Sequence, residues 1–149
     1  MTASRNKFRN NLLFSYSAIF IVIAILMVTY LYNREKQYKI SYLDNELNNI
    51  TGITDRYINI NSIYGSQRYD MLDSLQRLLP HSNLRISVID TSGKVFYDSF
   101  VKDYGSLGNH KNRPEILEAS RTGSGTAIRK SGSTGQKFYY YSRLYGRYY

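Results

Sequence analysis

The sequence contains no cysteine and no tryptophan, and only two histidines and two prolines among its 149 residues. Without cysteine, the chain can form neither a disulfide framework nor a thiolate metal site. His81 and His110 are far apart in the chain, which argues against a structural zinc site. Neither histidine has a neighbouring pattern that indicates a nucleophile and its base, so we assign each a surface or capping role. We predict no catalytic residue and no metal site.

The sequence contains one long apolar run, from Leu12 to Tyr32, which lies between Arg9 and Arg34. Its 21 residues carry no charge and would form a helix of roughly 30 Å, the thickness of a bilayer's hydrocarbon core. A helix buried in a soluble protein needs a core on all sides. The 117 residues that follow are too few and too polar to supply one. We therefore predict a transmembrane helix over residues 12–32, with the lipid bilayer as its partner.

The flanks of this run indicate an uncleaved signal anchor. Arg5, Lys7 and Arg9 form a basic start, but no small-x-small cleavage site precedes the charged segment 33–39. Three basic residues lie on each side, so the positive-inside count is close to a tie. The tighter N-terminal cluster favours a cytoplasmic tail over residues 1–11 and an extracytoplasmic location for the rest.

Basic residues outnumber acidic residues, twenty against eleven, but their distribution does not indicate nucleic-acid binding. Residues 1–39 hold six Lys/Arg and one Glu, whereas residues 40–149 hold fourteen basic and ten acidic residues. About half of the excess therefore flanks the apolar run, where anionic lipid headgroups account for it. The other half is scattered without a basic stripe, so we predict no nucleic-acid partner.

The segment after the apolar run predicts a juxtamembrane helix over residues 33–64. Its apolar positions alternate spacings of three and four, as in a two-stranded coiled coil or a helix lying on a domain. We call these positions the seam: Ile40, Leu43, Leu47 and Ile50. Two heptads are too few to choose between the two arrangements. Gly52 is a poor helix former, so we expect the helix to bend or fray there.

Residues 65–149 predict a small α+β domain in which helices cover one side of short strands. An apolar stripe predicts a helix from Met71 that Pro80 ends. Asn112 is the expected N-cap of a later helix that stops before Gly123. Alternation and turn residues predict two hairpins, with strands over residues 84–90 and 94–98, then 126–130 and 136–144. Asp90 is assigned to turn capping and Asp98 to a polar strand end, not to catalysis or metal binding.

One group of residues suggests a ligand pocket. Arg129 or Lys130 on the third strand, with Tyr139 and Tyr141 on the fourth, offers a cation and phenol hydroxyls to a small anion such as a carboxylate or phosphate. Because strand side chains alternate, only one of the two cations shares the face of these tyrosines, and the sequence leaves open which one. The competing interpretation is a solvated strand face that carries charges.

Three blocks, in this order, carry a family resemblance: RISVIDTSGKVFYDS (85–99), NHKNRPEI (109–116) and GSGTAIRKSGSTGQKFYYYS (123–142). Together they resemble the extracytoplasmic PAS-like (Cache, or PDC) sensor domain of phosphate-regulon-type bacterial sensor histidine kinases. The resemblance implies a homodimeric receptor in the bacterial inner (cytoplasmic) membrane that takes part in a two-component phosphorelay, with a small ligand or a protein as its signal. The matching loop-to-helix motif comprises Asn109, Arg113, Pro114 and Glu115, and no ligand set is implied.

Kinases of this type continue into a second membrane helix, a phosphoacceptor histidine followed by a carboxylate, and an ATP-binding domain. Neither histidine of this sequence is followed by Glu, so we expect an N-terminal segment of such a protein. ATP, Mg²⁺ and a response regulator would belong to the kinase part. Arg147, Tyr148 and Tyr149 are expected to begin a fifth, central strand that pairs with the first.

Other classes remain open at this point. The domain could be the input domain of a chemoreceptor or of a cyclic-nucleotide synthase, or the chain could be a single-pass anchored binding protein. A structural, pilin-like subunit also has an apolar N-terminal helix before an α+β head. Pilins show a glycine cleavage site and a glutamate just inside the apolar run, and Leu12 to Tyr32 has neither.

Overall fold

A computed structural model describes residues 2–66, 68–79, 84–132 and 135–149, with the backbone alone for residues 2–8. The predicted α+β class is confirmed, and the two sheets are small and antiparallel. Within these ranges, the helices and strands follow in the order α1 Thr2–Ile60, α2 Ile63–Ser66, α3 Met71–Leu78, β1 Ser87–Ile89, β2 Val95–Asp98, α4 Pro114–Thr122, β3 Ser124–Lys130 and β4 Lys137–Arg143. Some predicted features lie outside the described residues, namely Pro80, His81 and the hairpin turn residues 133–134.

The chain divides into two compact units, Met1–Leu43 and Asp44–Tyr149. We call the second unit the head. In the first unit, the large apolar side chains between Leu12 and Tyr32 are 45–75% exposed. Among the described residues, α1 is the one helix long and apolar enough to cross a membrane. An apolar surface of this extent is not the buried core helix of a soluble domain.

Within the head, α1 continues without interruption to Ile60. The expected fraying near Gly52 is therefore wrong, and a bend there stays a prediction. Helical glycine costs about 1 kcal/mol relative to alanine. Ile50 and Ile58 are 7% and 2% exposed, and burying each of them contributes roughly 1.5–3 kcal/mol, which outweighs that cost. The helix ends at Ile60, four residues earlier than predicted, and Ser62 follows in a turn with φ of 51°.

The first sheet is the predicted hairpin of β1 and β2. Gly93 N donates to the Asp90 carbonyl at 3.0 Å, and the Asp90 carboxylate accepts from Lys94 N at 2.8 Å. The predicted turn and the capping role of Asp90 are thus confirmed. The first strand begins at Ser87 and not at Leu84. The Ile86 carbonyl still accepts from Ser99 N at 2.9 Å, but the Ile86 amide donates to a side chain, Ser99 Oγ, at 3.0 Å, so regular strand pairing ends there.

The second sheet pairs β3 with β4, and α4 packs against β3. Gly125 allows this contact, since a Cβ at that position would lie 2.3 Å from the Glu115 carbonyl oxygen. The N-cap of α4 is Arg113, with φ of −72° and ψ of 139°, so the assignment to Asn112 is wrong. The helical conformation is disfavoured for a residue that precedes proline. Arg113 is therefore extended, and the helix begins at Pro114. The predicted stop holds, with Gly123 in the left-handed region at φ of 90°.

The last two described residues pair with the first strand, as expected of a fifth strand. Tyr149 N donates to the Ile89 carbonyl at 2.7 Å, and Ile89 N donates to the Tyr149 carbonyl at 3.0 Å. Tyr148 forms antiparallel bridges to both Asp90 and Tyr145. Tyr148 thereby connects the ends of the two hairpins, although each sheet remains two-stranded among the described residues.

The main core of the head lies between α1, α3 and the first hairpin. Leu72 and Leu75 of α3 are buried in it, as the apolar stripe predicts. Tyr97 of β2 is fully buried, and its hydroxyl donates to Asp73 at 2.8 Å. Burial and this carboxylate raise the pKa of Tyr97, so the phenol remains a donor.

Candidate functional site

A cavity of about 200 Å³ lies in the head between α1 and the two hairpins. Consecutive residues of both hairpins line it, over 84–89 and 138–143. Most of the wall is apolar or aromatic, and the charged lining includes Arg85, Arg113 and Glu115. A largely apolar cavity with a few convergent polar groups is the usual form of a small-molecule site.

The strand register separates the four residues of the predicted anion pocket. Ile128 pairs with Tyr139, so Lys130, two residues along, shares the face of Tyr139 and Tyr141. Arg129 lies on the opposite face. The Tyr139 hydroxyl donates to Asp44, and the Tyr141 hydroxyl donates to Asn48 at 2.9 Å. Lys130, and not Arg129, is therefore the cation on the face of the two tyrosines. Both phenol hydroxyls, however, already donate to residues of α1. A ligand role for this group stays a prediction.

Four tyrosines contact one polar stripe of α1, and we call this contact the tyrosine interface. Its partners are Tyr139 with Asp44, Tyr141 with Asn48, Tyr145 with Thr51, and Tyr148 with Asp55. The helix positions are spaced by four, three and four residues, so they share one face. Burial, and then the Asp44 hydrogen bond, raise the pKa of Tyr139 to about 12. Burial and Asp55 raise the pKa of Tyr148 likewise, so these phenols stay protonated donors.

Sequence reasoning did not find these partners. It placed Tyr139 and Tyr141 in a candidate anion pocket and Tyr148 in an expected fifth strand. The available signal was the polar repeat Asp44, Asn48, Thr51 and Asp55, which runs beside the apolar seam on the same helix.

The seam itself is divided between the two units. Ile50 is buried in the head and Leu47 lines the cavity, whereas Leu43 belongs to the N-terminal unit and is 37% exposed. Ile40 also belongs to that unit and is half-buried.

Asp98 lies at the end of β2, and its carboxylate accepts several hydrogen bonds. It is fully buried, and Arg85 contacts it with Nε at 2.9 Å and a terminal nitrogen at 2.8 Å. Ser87 Oγ donates to the same carboxylate at 2.7 Å, and Phe100 N donates at 2.9 Å. The predicted strand-end position is confirmed, but the carboxylate is not a solvated polar group. A charged partner and several hydrogen-bond donors compensate for its burial.

Glu115 and Arg129 form a second ion pair of this kind. Glu115 is 4% exposed, and the Arg129 guanidinium donates to it at 2.6 Å and 3.1 Å. The guanidinium also lies 3.7 Å from the ring centroid of Tyr140, a cation–π contact. Removing one partner of a buried pair leaves an uncompensated charge, which is strongly destabilising.

The loop-to-helix motif has a local structural role. The Asn109 side chain accepts from Lys111 N at 2.8 Å and donates to the Ser92 carbonyl at 2.9 Å, which fixes the loop on the first hairpin. Pro114 begins α4 and Glu115 pairs with Arg129. Arg113 differs from the others. It is half-buried, and its guanidinium has no hydrogen bond or ion pair with the described part of the chain. Burial, and then the charge of Arg129, lower the pKa of Arg113 to about 10.

His110 is not the surface residue that the sequence suggests. Its ring is 1% exposed, and neither ring nitrogen has a hydrogen-bond partner among the residues described. Burial, and then the charge of Arg113, lower the pKa of His110 to about 4. The imidazole is therefore neutral at physiological pH and keeps one donor and one acceptor unused. Across the described ranges, no group of three or more His, Asp or Glu residues could hold a metal ion.

No protein-family model, no curated protein and no solved structure matches the chain. The resemblance to sensor-kinase domains therefore stays a prediction. The geometry of the head and the composition of α1 carry the functional interpretation that follows.

His110 predicts an acid-sensitive head. Between pH 6.5 and about 4, the unfolded chain binds a proton at this histidine and the folded head does not. The free energy of unfolding should therefore decrease as the pH is lowered through this window, by up to roughly 3 kcal/mol. Below about pH 4, this histidine should cause no further decrease. Denaturant unfolding between pH 4 and 7 measures it. His110→Gln should flatten the profile, whereas His81→Gln should not. An unchanged profile in His110→Gln would contradict the assignment.

Proposed function

We propose that the chain is the membrane-anchored, extracytoplasmic sensing segment of a two-component sensor histidine kinase, with a PAS-like (Cache) head. The observation that carries the proposal is the composition of α1. One helix carries an exposed apolar stretch of membrane-spanning length and, from residue 44, buried residues of a small α+β head. The three sequence blocks and the pairing of Tyr148–Tyr149 between the hairpin ends support the PAS-like assignment.

The head offers a means of acting on the helix. The tyrosine interface ties the last strand to α1, while α3 and the first hairpin bury Ile58 on the same helix. A signal that binds one packing of the head better than another shifts the balance between them. Packed helices respond to such shifts by small translations or rotations. In the proposed homodimer, Ile40 and Leu43 would pair between copies, and ATP, Mg²⁺ and the response regulator would act at the kinase part on the cytoplasmic side.

The absence of cysteine allows a direct test of topology. Ser4→Cys places a single thiol before the apolar stretch, and Ser120→Cys places one on the exposed face of α4. In intact bacteria, a membrane-impermeant maleimide should label Ser120→Cys at once and Ser4→Cys only after lysis. The unmodified chain is the matched control and should not react. Labelling of Ser4→Cys alone in intact cells would contradict an extracytoplasmic head.

The kinase assignment predicts a second result. The protein encoded by the native reading frame should incorporate phosphate from ATP in isolated membranes. Leu47→Asp puts a carboxylate against the apolar wall of the head and should change that rate at least about fivefold, because burying an unpaired charge shifts the packing. Leu117→Asp is the control, since Leu117 is 39% exposed on α4. No phosphate incorporation, or equal rates in the two variants, would count against the proposal.

A further inference from the structure

The charges of five buried and half-buried residues beside the cavity do not balance. We call them the arginine cluster: Arg85, Arg113 and Arg129 with Asp98 and Glu115. Asp98 is paired with Arg85, and Glu115 with Arg129, each through more than one hydrogen bond. Arg113 is the member whose guanidinium contacts neither carboxylate. With His110 neutral, the cluster therefore carries one positive charge that the described residues leave without a hydrogen-bonded anion.

The walls indicate what kind of anion fits. Arg113 lines the cavity together with Ile116, Phe138 and Tyr140, so a ligand held by the guanidinium has apolar and aromatic surfaces beside it. The single excess charge matches a monoanion. A phosphate dianion would bring a second negative charge next to Asp98 and Glu115, which is repulsive in a partly buried site. A carboxylate also matches the planar, bidentate geometry of a guanidinium.

We propose that Arg113 binds the carboxylate of a small organic acid, whose apolar part packs against Phe138 and Tyr140. The guanidinium donates two hydrogen bonds to the carboxylate. This site differs from the group of Lys130, Tyr139 and Tyr141 on the opposite strand face. The binding deepens the proposed function by naming the chemical class of the signal, and only its signalling consequence rests on that function.

Calorimetric titration of the full chain in lipid nanodiscs tests the proposal, with propionate as the probe and sodium chloride at matched ionic strength as the blank. Propionate should bind saturably, and inorganic phosphate should not. Arg113→Gln should weaken propionate binding at least about tenfold, the effect of losing a charge-assisted pair. Arg121→Gln removes the same charge from an exposed position of the same helix and should leave the affinity unchanged.

A measurement on the unsubstituted chain covers the case in which Arg113→Gln fails to fold. Propionate should shift the ring resonances of Tyr140, which lines the cavity, and leave those of the exposed Tyr42 in place. The proposal is overturned if propionate does not saturate, if phosphate binds as tightly, if the two arginine variants lose affinity equally, or if the Tyr140 ring does not respond. None of these titrations requires a kinase or a membrane orientation, so their failure is distinct from failure of the proposed function.

Discussion

The tyrosine interface is the constraint on which the head depends. It joins residues more than ninety positions apart, such as Tyr148 and Asp55 at 2.8 Å. Closing a loop of that length costs entropy, which the contacts must offset. Because a phenol packs its ring and donates its hydroxyl, Tyr145 and Tyr148 pack in the cluster that contains Ile58 and also donate to the polar stripe of α1. The part of α1 within the head is thus held by β4 and by the segment that follows it.

The face of the second sheet that packs against α4 has a different kind of contact. There the contacts are ionic, and the two carboxylates are almost entirely removed from water. Asp98 and Glu115 are tolerated because each has an arginine and well-aligned hydrogen bonds. Arg113 and His110 lack such compensation among the described residues, and real proteins concentrate departures of this kind at functional sites. On the side of α1, the polar groups of the tyrosine interface therefore have hydrogen-bond partners. On the side of α4, one arginine has no paired carboxylate among the described residues.

Local signals in the sequence predicted local structure well. The apolar spacing of α3, the turn from Asp90 to Gly93, and the stop of α4 at Gly123 each depend on residues within a few positions of one another. The failures involve distant partners. Helix propensity could not show that burial of Ile50 and Ile58 carries α1 past Gly52. Nor could a histidine in a loop reveal that its side chain would be buried in the folded head. Nor could the sequence show that the hydrogen-bond partners of Tyr139 and Tyr141 lie on α1, more than ninety residues away.

A double-mutant cycle on Tyr148 and Asp55 tests the tyrosine interface most directly. Denaturant unfolding of the head, followed by tyrosine fluorescence, is measured for Tyr148→Phe, Asp55→Asn and the double variant, with the exposed Tyr42→Phe as control. The two substitutions should be coupled by about 1 kcal/mol or more, and Tyr42→Phe should leave the free energy of unfolding unchanged. Additive effects of the two substitutions would show that the phenol and the carboxylate act independently, and would contradict the account.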